Sequence, residues 1–139
     1  MSSAGSDVHE VVDVLYRYAT GIDRRDWPLF RTCFASDCQF DYGEIGQWRG
    51  VDQVTDYMIE AHIPFRHTLH RITNPVVAID EIHATARCYV HALLVPEADS
   101  STAFEAFGFY DDELTKVSTS WRISTRRFTM VRFVQPAGV

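Results

Sequence analysis

Tyr18-Ala19-Thr20-Gly21-Ile22-Asp23-Arg24-Arg25-Asp26-Trp27 is the stretch where two helix signals meet. Before it, Val8, Val11, Val12, Leu15, Tyr18, Ala19 and Ile22 recur every three or four residues, which predicts an amphipathic helix over residues 7–22. Gly21 suits the C-terminal end of that helix. Asp26 reads as an N-cap, with Pro28 just inside a short second helix carrying Trp27, Leu29, Phe30, Cys33 and Phe34. Asp23 is left between the two. Alone it would be a turn or cap residue. The sharper reading is that it faces a largely apolar pocket and orients a histidine from far along the chain, with His70 as the partner.

Working outward, Gln39-Phe40-Asp41-Tyr42 reads as a short strand, and Gly43, Gly46 and Gly50 punctuate the loop after it. A third helix is expected over residues 52–61, with Val54, Tyr57, Met58 and Ala61 on one stripe and Pro64 ending it. The period then changes to two. Residues 68–79 read as a strand broken at Asn74-Pro75. Residues 84–95 alternate, with Ala84, Ala86, Cys88, Val90, Ala92 and Leu94 on one face and Arg87, Tyr89, His91 and Leu93 on the other. After a polar loop, residues 104–117 and 121–134 form two long strands around Ser118-Thr119-Ser120, which suits a hairpin. Helices first and an antiparallel meander second predict an α+β fold: N-terminal helices packed on a curved, mixed, mostly antiparallel sheet in a cone-shaped barrel. The mouth of such a cone is a natural ligand pocket.

The chain of 139 residues is expected to form one domain over 1–139, with residues 1–6 as a loose polar tail. A net charge of −6 argues against nucleic acid or an anionic membrane as partner. No apolar run reaches the roughly 18 residues of a membrane span, and residues 1–6 lack the features of a secretion signal. Cys33, Cys38 and Cys88 are an odd number without CxxC spacing, so a disulfide framework or zinc site is not expected and the cytoplasm is the default location. His62, His67 and His70 could suggest a metal, but Pro64 and the change from helix to strand disrupt regular ligand geometry. No metal and no cofactor is therefore expected. The apolar face from Ala84 to Leu94 needs cover, which predicts a homodimer or higher homo-oligomer.

Five segments, in their order and spacing, carry a resemblance: Tyr18 with Ile22-Asp23-Arg24-Arg25-Asp26-Trp27; Phe40-Asp41-Tyr42; His67-Thr68-Leu69-His70-Arg71-Ile72-Thr73-Asn74; Gly108-Phe109-Tyr110-Asp111-Asp112-Glu113-Leu114; and Trp121-Arg122-Ile123-Ser124-Thr125-Arg126. Over about residues 8–134 the chain resembles the SnoaL-like family of the nuclear transport factor 2-like superfamily, small cystatin-like α+β rolls that include scytalone dehydratase, a bile-acid dehydratase, ketosteroid isomerase-like enzymes and a lindane dehydrochlorinase. The resemblance implies an Asp–His pair, Asp23 with His70, in a pocket with tyrosines. It aligns Tyr18 with a tyrosine of the bile-acid enzyme, Tyr42 and His91 with the second tyrosine and second histidine of scytalone dehydratase, and Arg126 with an arginine of the dehydrochlorinase. Ile22 departs from scytalone dehydratase, which has tyrosine there, and this argues against scytalone as substrate.

A β-elimination or enol shift needs a base for a proton beside a carbonyl, a donor for the developing oxyanion, and help for the leaving group. Imidazole titrates near neutrality and suits the first task. Asp23 would fix the tautomer of His70; Tyr18 and Tyr42 would donate to substrate oxygens; Arg126 would hold a carboxylate or an enolate. Only one of Arg126 and Arg127 can face inward on a regular strand. Tyr110, Tyr89, His91 and Trp27 complete the candidate substrate-binding set. The expected function is a cofactor-independent dehydratase (lyase) or isomerase acting on a small hydrophobic carbonyl compound of polyketide, steroid or aromatic type. The alternatives are a ligand-binding protein of the same fold without turnover and a structural dimerisation module.

Overall fold

The computed structural model describes residues 4–139. Three helices precede most of a six-stranded sheet: α1 Ala4–Asp23, α2 Trp27–Arg31, β1 Phe34–Asp41, β2 Gln47–Arg49, α3 Val51–His62, β3 Phe65–Asp80, β4 His83–Pro96, β5 Phe104–Val117 and β6 Ser120–Val134. The spatial order is β2-β1-β6-β5-β4-β3. Only β1 with β6 is parallel; every other pairing is antiparallel. The expected α+β architecture with a mixed, mostly antiparallel sheet is present, and the sheet stays open between β2 and β3 rather than closing into a barrel.

The buried stripe of α1 is Val11, Val14, Leu15, Tyr18, Ala19 and Ile22, so Val14 takes the place expected of Val12. Of the expected N-terminal tail, residues 1–3 lie outside the described residues, and Ala4 to Ser6 belong to α1 instead. Gly21 does not end the helix. A Cβ there would lie 2.8 Å from the Phe30 backbone nitrogen, so its absence lets α2 pack close. The helix ends two residues later, at Asp23. Arg25 adopts φ 56°, its N–H bonds Ile22 O at 3.2 Å, and the Asp26 N–H bonds Gly21 O at 2.8 Å. This is a Schellman ending with arginine where glycine is usual. Asp26 caps α2 as expected, accepting from the Leu29 N–H at 3.1 Å.

The break expected at Asn74-Pro75 is a bulge inside one continuous strand. Asn74 takes φ 53°, and the register with β4 shifts between Thr73 and Val76. The face of β4 carrying Ala84, Ala86, Cys88 and Val90 turns into the chain's own core with α1 residues. That corrects the reason for expecting an oligomer: this face needs no second copy to cover it. The opposite face of β4, with Tyr89 50% exposed, is the outer one. No described helix is long and apolar enough to cross a membrane.

Gly108 on β5 sits beside the register shift against β6. A Cβ there would lie 2.2 Å from Thr129 O and 2.7 Å from the Phe128 ring, so only glycine lets that ring lie across the strand. Gly108→Ala should therefore lower unfolding stability by about 1–3 kcal/mol through overpacking and backbone displacement. Urea unfolding checks this; an unchanged midpoint and slope would contradict the packing argument.

Candidate active site

The end of α1 and the start of β3 meet through one carboxylate. Asp23 Oδ1 lies 2.6 Å from His70 Nδ1. Its Oδ2 accepts the backbone N–H of His70 at 2.7 Å, and Oδ1 also accepts from Thr68 Oγ1 at 3.0 Å. An ionised carboxylate only accepts, so Nδ1 of His70 carries a hydrogen. The pair is largely sheltered, with the His70 side chain 8% and the Asp23 side chain 18% exposed. Arg25 backs the arrangement: its guanidinium donates to Thr68 Oγ1 at 2.7 Å, to Ile22 O at 2.9 Å and to Phe65 O at 3.2 Å. These bonds hold a non-glycine residue in the left-handed region, where backbone strain otherwise disfavours it. Arg25 was not among the sequence-derived candidates. Two neighbouring arginines after a helix read as solvated charge, and nothing in the local pattern marks which one folds back.

His70 lines a cavity of about 180 Å³ enclosed by α1, α3 and the inner face of the sheet. Its walls include Ile22, Met58, Phe65, Val90, Leu94 and Phe128, with hydroxyls from Tyr18, Tyr42, Tyr57 and Tyr110. Tyr18 and Tyr110 share a hydrogen bond between their hydroxyls at 2.8 Å. Burial holds Tyr18, Tyr42 and Tyr110 well above the usual tyrosine pKa, so all three stay protonated donors at any physiological pH. A larger groove of about 1030 Å³ crosses the sheet between β2 and β3. Its charged lining is partly paired, Arg87 with Asp111 at 2.7 Å, and the Asp23–His70 pair is absent from it, so the smaller cavity is the candidate site.

Four sequence candidates lie elsewhere. His91 sits on the outer face of β4, bonded to Glu105 at 2.9 Å and stacked on Phe107. Tyr89 shares that outer face, because alternation along β4 sends both away from the core. Trp27 packs edge-on against Phe30 and His62, behind the cavity wall. Arg126 is the inward one of the two arginines, but it does not line the cavity. Asp112 grips it through two bonds of 2.8 Å, and its guanidinium lies 4.2 Å from the Tyr18 ring centre and 3.9 Å from that of Tyr110. It supports the tyrosines from behind as a cation paired with Asp112.

The structure adds His62 to the site. It lines the cavity, with its ring centre 6.1 Å from that of His70. His67 is exposed, and no group of three His, Cys, Asp or Glu side chains among the described residues has metal-binding geometry. On sequence alone, His62 enters only with His67 and His70 as a candidate metal group.

A family model described as a SnoaL-like domain matches residues 4–127. The chain belongs to the SnoaL-like family. Among solved structures, a Kribbella flavida protein aligns with a TM-score of 0.88 at 24% identity, covering 95% of each chain. A scytalone dehydratase candidate from Novosphingobium aromaticivorans aligns at 0.85 with 19% identity, over 96% of this chain and 95% of that one. A hexachlorocyclohexane dehydrochlorinase, LinA type 2, aligns at 0.85 with 18% identity, over 96% of this SnoaL-like chain and 91% of its own. At these identities the likeness establishes the shared fold.

Burial pushes His62 down to about 4, with His70 and Arg25 adding to that and Asp23 and the Met58 carbonyl opposing it. In the unfolded chain the same group takes a proton near its ordinary 6.5. Between those values the unfolded state binds more protons, so stability should fall as pH drops from about 6.5 toward 4, by at most about 1.4 kcal/mol per pH unit from this group. His62→Leu should flatten that part of a urea-derived stability profile. Identical slopes in the two proteins would contradict the burial argument.

Proposed function

We propose that this SnoaL-like protein is a cofactor-independent lyase, a dehydratase, or a related isomerase, in which Asp23 and His70 act together on a small apolar carbonyl compound. The observation that carries the reading is the 2.6 Å contact between Asp23 and an imidazole whose other nitrogen is free inside an apolar cavity. His70 Nε2 takes a proton from the carbon beside the carbonyl. Asp23, bonded to Nδ1, holds the tautomer and stabilises the imidazolium that forms. The electron pair left on carbon moves toward the carbonyl oxygen. A protonated tyrosine, Tyr42 or the free hydroxyl hydrogen of the Tyr18–Tyr110 pair, donates to that oxygen. The imidazolium then returns the proton to a departing hydroxyl, giving elimination, or to another carbon, giving isomerisation. Two structural neighbours named for elimination chemistry, the scytalone dehydratase candidate and the dehydrochlorinase, are in keeping with the reading.

The cavity also bounds the substrate. An apolar cavity of ~150 Å³ accommodates benzene. A volume of about 180 Å³ therefore suits one or two rings and is too small for a steroid nucleus without rearrangement. The second reading is a binding protein of the same fold, favoured by the mostly apolar lining of the cavity.

Solvent deuterium incorporation beside the carbonyl of a panel of small cyclic ketones and β-hydroxyketones, followed by NMR, separates the two. The enzyme reading expects exchange or elimination above background. It expects a fall of about 10²–10⁴-fold in Asp23→Asn and in His70→Ala proteins that remain folded. Binding of the panel without exchange would favour the carrier reading, and exchange unaffected by either substitution would overturn the assignment of the pair.

A further inference from the structure

His62 closes α3, and its ring orientation is fixed on two sides. Nδ1 lies 2.7 Å from the Met58 carbonyl oxygen one turn back. Trp27 packs edge-on against it with 6.1 Å between ring centres. A carbonyl only accepts, so Nδ1 carries the hydrogen and Nε2 holds the lone pair. No described residue donates to that nitrogen, although the ring is buried and borders the cavity. Its Nε2 is not among the buried side-chain atoms that lack a partner, so this nitrogen reaches the accessible space that the cavity offers, where a ligand can supply the donor.

The other polar groups of the cavity have different duties. The Tyr18 and Tyr110 hydroxyls are joined to each other, and His70 is backed by Asp23. A backbone carbonyl stabilises an imidazolium less than a carboxylate does, and burial holds His62 neutral down to about pH 4. The cavity therefore contains two imidazoles with unlike support, one carboxylate-backed and one fixed as a neutral acceptor.

We propose that His62 is a specificity-determining residue whose Nε2 accepts a hydrogen bond from a hydroxyl group on a one- or two-ring ligand. The proposal rests on the reading of this cavity as the ligand site, and it deepens that reading by assigning the ligand a hydroxyl donor besides its carbonyl. It does not depend on turnover.

The test compares phenol, which can donate, with anisole, which has a similar ring and can only accept, by calorimetric titration of the full chain. The wild-type protein should prefer phenol by about five- to tenfold, the worth of one good hydrogen bond. His62→Leu should lose most of that preference while keeping its affinity for anisole within about threefold. His62→Gln, which retains an acceptor, should keep part of it and serves if the leucine variant does not fold. The ¹⁵N resonance of His62 Nε2 should also move on saturation with phenol. No preference for phenol in the wild type, an undiminished preference in both variants, or an unmoved resonance would each overturn the proposal. A preference that survives in the His62 variants but vanishes in His70→Ala would assign the acceptor to His70 and leave the proposed catalytic pair standing. Loss of the preference in the His62 variants, in a protein that exchanges no ketone, would sustain this proposal while the catalytic reading falls.

Discussion

Asp23 makes three hydrogen bonds to a single segment of β3: to the His70 ring, to the His70 backbone N–H and to the Thr68 hydroxyl. The same side chain thus closes the contact between the first helix and the sheet and orients the imidazole. A carboxylate in that setting is worth keeping only if its oxygens are satisfied, because a sheltered charge without partners is costly. Arg25 adds a second tie two residues later, reaching the Thr68 hydroxyl and the Phe65 carbonyl. Its left-handed backbone turns the chain, and its side chain anchors the turn to the strand. Both links cross forty or more residues of sequence, so the site forms only when the sheet has docked on the helix.

The cavity follows from how the sheet receives α1 and α3. Alternation along β4 sends Ala84, Ala86, Cys88 and Val90 inward, and their small size leaves room above the helices. Glycine at 108 brings the Phe128 ring over β5, where it forms part of the wall. Tyrosines supply hydroxyls without charge, and the Arg126 cation is paired with Asp112 and kept behind two of those rings. The result is an enclosure with directed donors and acceptors and little net charge, which suits an apolar ligand carrying one or two polar groups.

Much of this was legible in the sequence because the periods were clean. The change from a repeat of 3.6 to a repeat of two at residue 65 separates helices from sheet, and the two long strands around Ser118 match the observed hairpin closely. The contact between Asp23 and His70 was accessible through the family resemblance, since alone Asp23 reads as a turn or cap residue. The errors share a cause: a single strand or helix pattern does not say which face the rest of the chain covers. Tyr89 and His91 have the right chemistry on the wrong face, and the inner face of β4 looked exposed until α1 was placed on it. Strand alternation alone leaves open which of Arg126 and Arg127 faces inward, and Asp112, fourteen residues away across a hairpin, pairs with the buried Arg126. In the sequence His62 stands out only as part of a candidate metal cluster, because its backbone carbonyl bond and its place on the cavity wall leave no mark in residue order.

The central claim is that Asp23 holds His70 in one tautomer with a free nitrogen facing the cavity. Long-range ¹H–¹⁵N correlation of the histidine rings at neutral pH tests it directly. The predicted result is a His70 spectrum with hydrogen on Nδ1 and a lone pair on Nε2, changing in Asp23→Asn to a mixed or reversed tautomer while the fold is kept. A His70 ring protonated on Nε2 in the wild type, or one indifferent to the substitution, would contradict it.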